Sequence, residues 1–331
     1  MTRNRSTFTH VACYFPGKTI SWFRRSLLII VILLPFAVKS QQSALITHYM
    51  FTDVYFNPAC AGGAEGINVT GLLRQQWIGF KDADGNTPGP QTYMISIDSP
   101  IKFLHGAAEG SIVQDNIGFF KNIEVRVGYA YQASLGAGEL SAGLQLDLFN
   151  SKIDFSSIKA VETDDLLNGL SKGNDFVADA GLGVLYKVPD KYYIGLSCDK
   201  LLQSKASKIY YNLKREYFLT AGYYWIIPGH PDFELQPSLF FRTDAAAFQL
   251  DLSALLVYNK KVWGGLAYRM TDAVSVLAGM NIKGIKIGLA YDISTSSLSK
   301  YNSGGLEVML NYCFKIKMEK FRKSYKNARF L

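Results

Sequence analysis

From residue 66 onward, apolar and polar residues alternate in runs separated by short turn-forming stretches. Leu140, Ala142, Leu144, Leu146 and Leu148 share one face of such a run, and Ser141, Gly143, Gln145 and Asp147 share the other. Phe248, Leu250, Leu252, Ala254, Leu256 and Tyr258 stand against Gln249, Asp251 and Ser253 in the same way. Period-two alternation of this kind marks a strand with one apolar and one polar face. It predicts strands near 66–76, 91–99, 106–117, 121–134, 138–149, 176–187, 191–203, 214–226, 233–243, 247–258, 261–270, 273–282, 284–292 and 304–315. A soluble sandwich would also alternate, so length decides. A tilted membrane strand needs about 9–11 residues, whereas soluble strands centre nearer 5–6. Most of these runs meet the longer requirement. A bilayer offers no water to unpaired backbone groups, so spanning strands must close into a barrel, with an even strand number in the bacterial case. The expectation is an all-β fold: a transmembrane antiparallel β-barrel of about fourteen strands over residues 66–315. Leu144, Leu146, Leu250 and Leu252 should face lipid, and a hydrated lumen would tolerate charge at Gln145 or Asp251.

The stretch before the first strand does not alternate. Residues 41–65 crowd Tyr49, Met50, Phe51, Tyr55 and Phe56 together, then break at Asn57-Pro58. The residue before a proline is pushed out of the helical region, so a turn is expected there. Small residues follow, Ala59, Ala61, Gly62 and Gly63, and permit close backbone approach. Farther on, Arg74-Gln75-Gln76-Trp77-Ile78-Gly79-Phe80 leads into a polar connection. Two compatible readings are that the aromatic segment plugs or braces the barrel, and that it forms a docking surface for another protein. Arg74 and Trp77 combine bidentate donors with a large apolar face, a pairing enriched at binding hot spots.

Charge changes the picture once it is placed. The net charge is +8 and the mean hydropathy +0.05. Residues 1–40 hold Arg3, Arg5, Lys18, Arg24, Arg25 and Lys39 with no acid, and the tail after Phe314 is strongly basic. The body between them is mildly acidic, so a basic nucleic-acid binder is excluded as the reading. Arg24-Arg25 followed by the apolar run SLLIIVILLPFAV, with Val38 and Ser40 ahead of Gln41, reads as a cleaved signal peptide over 1–40. Residues 316–331 read as a basic periplasmic tail. An even strand number puts both chain ends on one side, the periplasm. By the same parity the polar stretches 77–90 and 150–174 become extracellular loops.

Catalytic chemistry finds no foothold. Four cysteines become three once 1–40 is removed, Cys60, Cys198 and Cys313; an odd count describes no disulfide framework, and the spacing matches no metal or redox motif. Glu162, Asp164 and Asp165 lack calcium-loop spacing, and no triad order, phosphate loop or HExxH occurs. The expectation is a protein that is not an enzyme and uses no cofactor or metal.

The blocks YMF (49–51), FNPA (56–59), AG (61–62), RQQW with GF (74–80) and PQTY with the following S, D and P (90–100) resemble the PorP/SprF family. The likeness continues more loosely across 41–316, including GVLYKVPDKYYIGLS. Cys60 departs from the pattern, standing where the family usually carries an aromatic residue. The resemblance implies an outer-membrane β-barrel of type IX secretion and gliding in Bacteroidota, which anchors or assists a secreted or surface-displayed partner alongside other secretion components. It implies docking or plug roles for Tyr49, Met50, Phe51, Phe56, Asn57, Pro58, Gly62, Arg74, Gln76, Trp77 and Gly79. The competing readings are a general diffusion porin and an enzyme at the barrel rim.

Overall fold

A computed structural model describes residues 43–64, 66–81, 88–154, 172–206 and 211–315. The signal-peptide and tail expectations, and most of the acidic insertion, lie outside the described residues. Fourteen antiparallel strands form a closed barrel. They are β1 (Gly66–Gln75), β2 (Gln91–Ile101), β3 (Gly106–Ile117), β4 (Phe120–Leu135), β5 (Gly138–Asp154), β6 (Lys172–Val188) and β7 (Tyr192–Asp199). β8 (Glu216–Tyr223) resumes over Trp225–Ile226, and is followed by β9 (Phe233–Thr243), β10 (Phe248–Tyr258), β11 (Val262–Arg269), β12 (Ala273–Ile282), β13 (Ile285–Ser294) and β14 (Gly305–Lys315). Each strand pairs with its neighbours in the chain, and β1 pairs with β14 from Gly66↔Lys315 to Gln75↔Leu306. That seam removes the free edges.

The expected strands are all present, with informative differences at their ends. β5 and β6 run longer than the apolar pattern, because Asn150, Ser151 and Lys152 go on pairing with Phe176, Asp175 and Asn174. Beyond the bilayer a strand needs no apolar face, so alternation falls silent there. β7 stops at Asp199 instead of continuing to 203. Lys200 and Gln203 adopt positive φ, and the amides of Leu202 and Ser204 donate to the Asp179 carboxylate.

The wall is the inverse of a soluble core. Leu144 and Leu146 are 68% and 62% exposed, whereas Gln145, Asp147 and Asp251 are buried. Leu252 is exposed and Leu250 half-buried. Apolar side chains therefore face outward around the barrel, as a lipid-facing belt requires. Arginine at Leu144 should cost about 2–4 kcal/mol at mid-bilayer, seen as a fall in the urea midpoint of the folded, heat-modifiable form; an unchanged midpoint would remove Leu144 from the belt. The tolerance expected at Gln145 does not survive. Its amide donates to Asp147 and Asp199 inside a filled lumen, so no hydrated space receives a new charge there.

Connections differ by end. The ones after β1, β5, β7 and β13 are long and share one mouth; those after β2, β4, β6, β10 and β12 are short and share the other. Lys283 and Gly284 both take positive φ between the paired Ile282 and Ile285, the geometry of a two-residue hairpin whose twist matches its strands. Gly66 and Lys315 lie together at the short-turn mouth. The expectation that both chain ends share a side thus holds for the strands only. The segment before β1 starts at the opposite mouth, beside the first residue of β8, where the Ser43 amide donates to Glu216 at 3.1 Å.

Candidate functional site

Residues 43–64 fill the lumen. Three short helical turns shape them: Tyr49–Phe51, Asp53–Phe56 and Pro58–Cys60. Asn57 is extended, as its proline neighbour demands. Its side-chain oxygen accepts from the Ala59 amide at 2.9 Å and so caps the last turn. Its side-chain nitrogen donates to the carbonyl of Val184 on β6 at 3.2 Å. Ser197 on β7 donates to the Phe56 carbonyl at 2.6 Å. Near the short-turn mouth the Gly62 amide donates to Asp98 on β2, and Gln132 on β4 donates to the Ala61 carbonyl, both at 2.9 Å.

The aromatic residues spread to different walls. Tyr49 stacks on Phe240 of β9, with ring centres 5.2 Å apart, and its hydroxyl shares hydrogen bonds with Ser238 and Ser253. Phe56 packs against Phe218 and Phe240. Phe51 lies 5.0 Å from Trp263 of β11, and Met50 packs against clusters on both sides. Two inward glycines make room. A Cβ on Gly143 would overlap the backbone of Pro58 and Ala59, and one on Gly183 would overlap the Asn57 side chain. A hollow of about 400 Å³ remains towards the short turns, lined by Met50, Phe51, Tyr193, Tyr224 and Trp263 among others.

Charge fixes the segment at the long-connection mouth. Arg74 on β1 bridges Asp292 of β13 at 2.6 Å and Glu307 of β14 at 2.8 Å, and donates to the Thr47 hydroxyl at 2.7 Å. Glu307, fully buried, also accepts from the backbone amides of Thr47 and His48 and contacts the His48 ring at 2.6 Å. Opposite, Arg126 on β4 pairs with Glu124 and Asp199, at 3.0 and 2.7 Å, and donates to the Tyr55 carbonyl at 2.5 Å. Its guanidinium also lies over the Tyr55 ring. Arg269 and Asp251 pair at 3.0 Å. Burying such charges is costly unless every one is met by a partner and by hydrogen bonds. Here the segment itself supplies many of those hydrogen bonds.

The predicted site residues divide accordingly. Tyr49, Phe56, Asn57, Pro58 and Arg74 are buried in the lumen, and Met50, Phe51 and Gly62 are half-buried beside them. Arg74, at 4% exposure, faces the plug and offers nothing to an external partner. Gln76, Trp77 and Gly79 lie at the long-connection mouth. The Gln76 amide donates to Pro90, Ile78 exchanges backbone bonds with Gly304 and Ser303, and Trp77 meets Phe80 edge-on. Glu307, Asp292, Arg126, Asp199 and Arg269 were not anticipated; charged residues at inward positions of membrane strands were the available signal. Cys60 is a free, buried thiol packed with Val54, Ala59 and Leu185. Among the described residues, no group of three or more His, Cys, Asp or Glu is placed to hold a metal ion.

Residues 38–312 match the family described as type IX secretion system membrane protein PorP/SprF. The chain belongs to this family. No curated protein matches this PorP/SprF chain in sequence. Solved barrels resemble it in shape. The Ralstonia pickettii toluene transporter TbuX has 12% identity and a TM-score of 0.51, covering 78% of this chain and 92% of its own. The CymD monoaromatic hydrocarbon channel has 11% identity and a TM-score of 0.50, covering 81% and 94%. At such identities the likeness to those barrels concerns the fold alone. The PorP/SprF protein is thus a membrane β-barrel of type IX secretion.

Proposed function

We propose that this PorP/SprF barrel sits in the outer membrane and acts without catalysis or cofactor. It anchors or assists a secreted or surface-displayed partner, together with other secretion components, and uses its mouths rather than its lumen. The observation that supports this reading is the filled lumen: the aromatic segment meets walls on opposite sides and is tied down by buried ion pairs. A passive diffusion porin needs an open water-filled passage. At the long-connection mouth, the half-exposed Trp77 and Phe80 flank Ile78, whose backbone bonds to Ser303 and Gly304. A Trp on a backbone-braced rim is the kind of anchor that dominates protein interfaces.

Purified wild-type protein in planar bilayers should show no steady large conductance, and Trp77→Ala should keep heat-modifiable mobility while secretion of the partner falls. A steady large conductance from the wild-type barrel would support the porin reading instead. Undiminished secretion from a well-folded Trp77→Ala barrel would remove Trp77 from the docking surface.

A further inference from the structure

Towards the short turns the plug stops short of filling the lumen. The hollow left there, about 400 Å³, falls within the size range of small-molecule sites. Two inward glycines keep it open. A Cβ on Gly279 of β12 would strike the Trp263 ring, and one on Gly222 of β8 would strike the Tyr193 ring. Each ring therefore lies over a glycine of the neighbouring strand, where a larger residue would push it into the space. Phe51 of the plug, 5.0 Å from Trp263, and Tyr224, 6.2 Å from Tyr193, extend the two rings into two aromatic surfaces. Met50 and Phe51 come from the plug and close the inner end.

The charges around this hollow leave one cation over. Asp190 meets Lys260 at 3.8 Å across the rim, and Glu234 accepts from the Gln236 amide at 2.7 Å. Lys286 of β13 also lines the hollow, and its ladder neighbours are Asn281 and Asn311 rather than acids. Among the described residues no carboxylate pairs with it. Asn281 accepts from the Gly284 amide through its side-chain oxygen at 3.1 Å, which leaves its NH2 group to donate. We propose that the hollow is a binding site for a small aromatic carboxylate. The ring packs on the Phe51–Trp263 surface in the offset or edge-on manner that aromatic pairs favour. The carboxylate accepts from the Lys286 ammonium and the Asn281 amide, the first a charge-assisted bond. With the plug across the inner end, such a ligand is held at the short-turn mouth and not passed through the barrel.

The test is a calorimetric titration of the full-length protein in lipid nanodiscs with phenylacetate. Phenylacetamide, which keeps the ring and loses the charge, and cyclohexylacetate, which keeps the charge and loses the aromatic face, are titrated in parallel. Phenylacetate should bind saturably at one site. The amide should bind about tenfold more weakly, the loss expected for one charge-assisted hydrogen bond, and cyclohexylacetate about fivefold more weakly, the loss expected for one aromatic contact. Lys286 is half-buried at the mouth and takes no part in the ion pairs that hold the plug, so its replacement leaves the fold standing. Lys286→Gln should weaken phenylacetate about tenfold and leave phenylacetamide unchanged, whereas Lys286→Arg should keep the preference for the acid. Heat-modifiable mobility confirms that each variant is folded. Absence of saturable phenylacetate binding to the wild-type barrel would overturn the proposal. So would equal affinity for either comparison compound, or undiminished phenylacetate affinity in folded Lys286→Gln.

Discussion

Replacing Arg74 with alanine will destabilise the barrel by about 3–5 kcal/mol, the range for removing one partner from a buried ion pair. The guanidinium meets two carboxylates from two strands, Asp292 and Glu307, with both acids buried. Without it, Glu307 keeps its hydrogen bonds from Thr47 and His48, and Asp292 keeps those from Thr47 and Ser275. What is lost is the balancing charge, which hydrogen bonds from neutral groups do not replace. Arg74→Lys should fall between wild type and alanine, because a single ammonium is a point charge and lacks the fork that reaches both acids. The measurement is the urea midpoint of the loss of heat-modifiable mobility. A shift smaller than about 1 kcal/mol for Arg74→Ala, the range of an exposed pair, would show that the cluster is hydrated rather than sealed.

Gly143→Val will unseat the plug. The new side chain points to the place where the backbone of Pro58 and Ala59 already lies, and neither backbone is free to move without dragging Asn57 from the carbonyls of Val184 and Leu196. Overpacking a filled interior costs about 1–3 kcal/mol when side chains absorb it, and more when backbone must shift. Bilayer recordings should show conductance from the variant where wild type shows none, together with faster cleavage of the 43–64 segment by added protease. Gly71→Ala is the control. Its Cβ would come no nearer than 4.0 Å to a neighbour, the Leu310 carbonyl oxygen, so it should behave as wild type. A silent, protease-resistant, folded Gly143→Val barrel would mean that the segment does not press on β5.

The wall was readable in the chain because a lipid-facing strand must show one apolar residue in every two. Leu144 and Leu146 announced their face in that way. The pattern says which side a residue faces and nothing about its neighbour across the lumen. Arg74 and Glu307 are 233 positions apart and Arg126 and Asp199 are 73 apart; only closure of the barrel brings them together. Arg74 was singled out from its motif, but alternation could not choose between a docking and a bracing role. In the structure Arg74 is buried against Thr47, Asp292 and Glu307. Asn57-Pro58 was readable as a turn for local reasons, since proline restricts the residue before it wherever the pair occurs. The ends of β5 and β6 escaped notice because polar strands that continue above the bilayer carry no apolar period.

The β1–β14 seam has a further consequence for how the molecule is built. Its two sides are the first and last strands, and at its long-connection end Arg74 and Glu307 both grip Thr47. Bringing such distant stretches together carries a loop-closure entropy that rises only with the logarithm of chain length, yet it must be met before any contact repays it. Pairings of this sequence separation make folding slow. Thr47 and His48 offer Glu307 its hydrogen bonds only when they are already in place, and the lumen leaves no room to admit them after the wall has shut. Sealing the cylinder and seating its contents should therefore be coupled, because the seam and the Thr47–His48 contacts share Arg74 and Glu307.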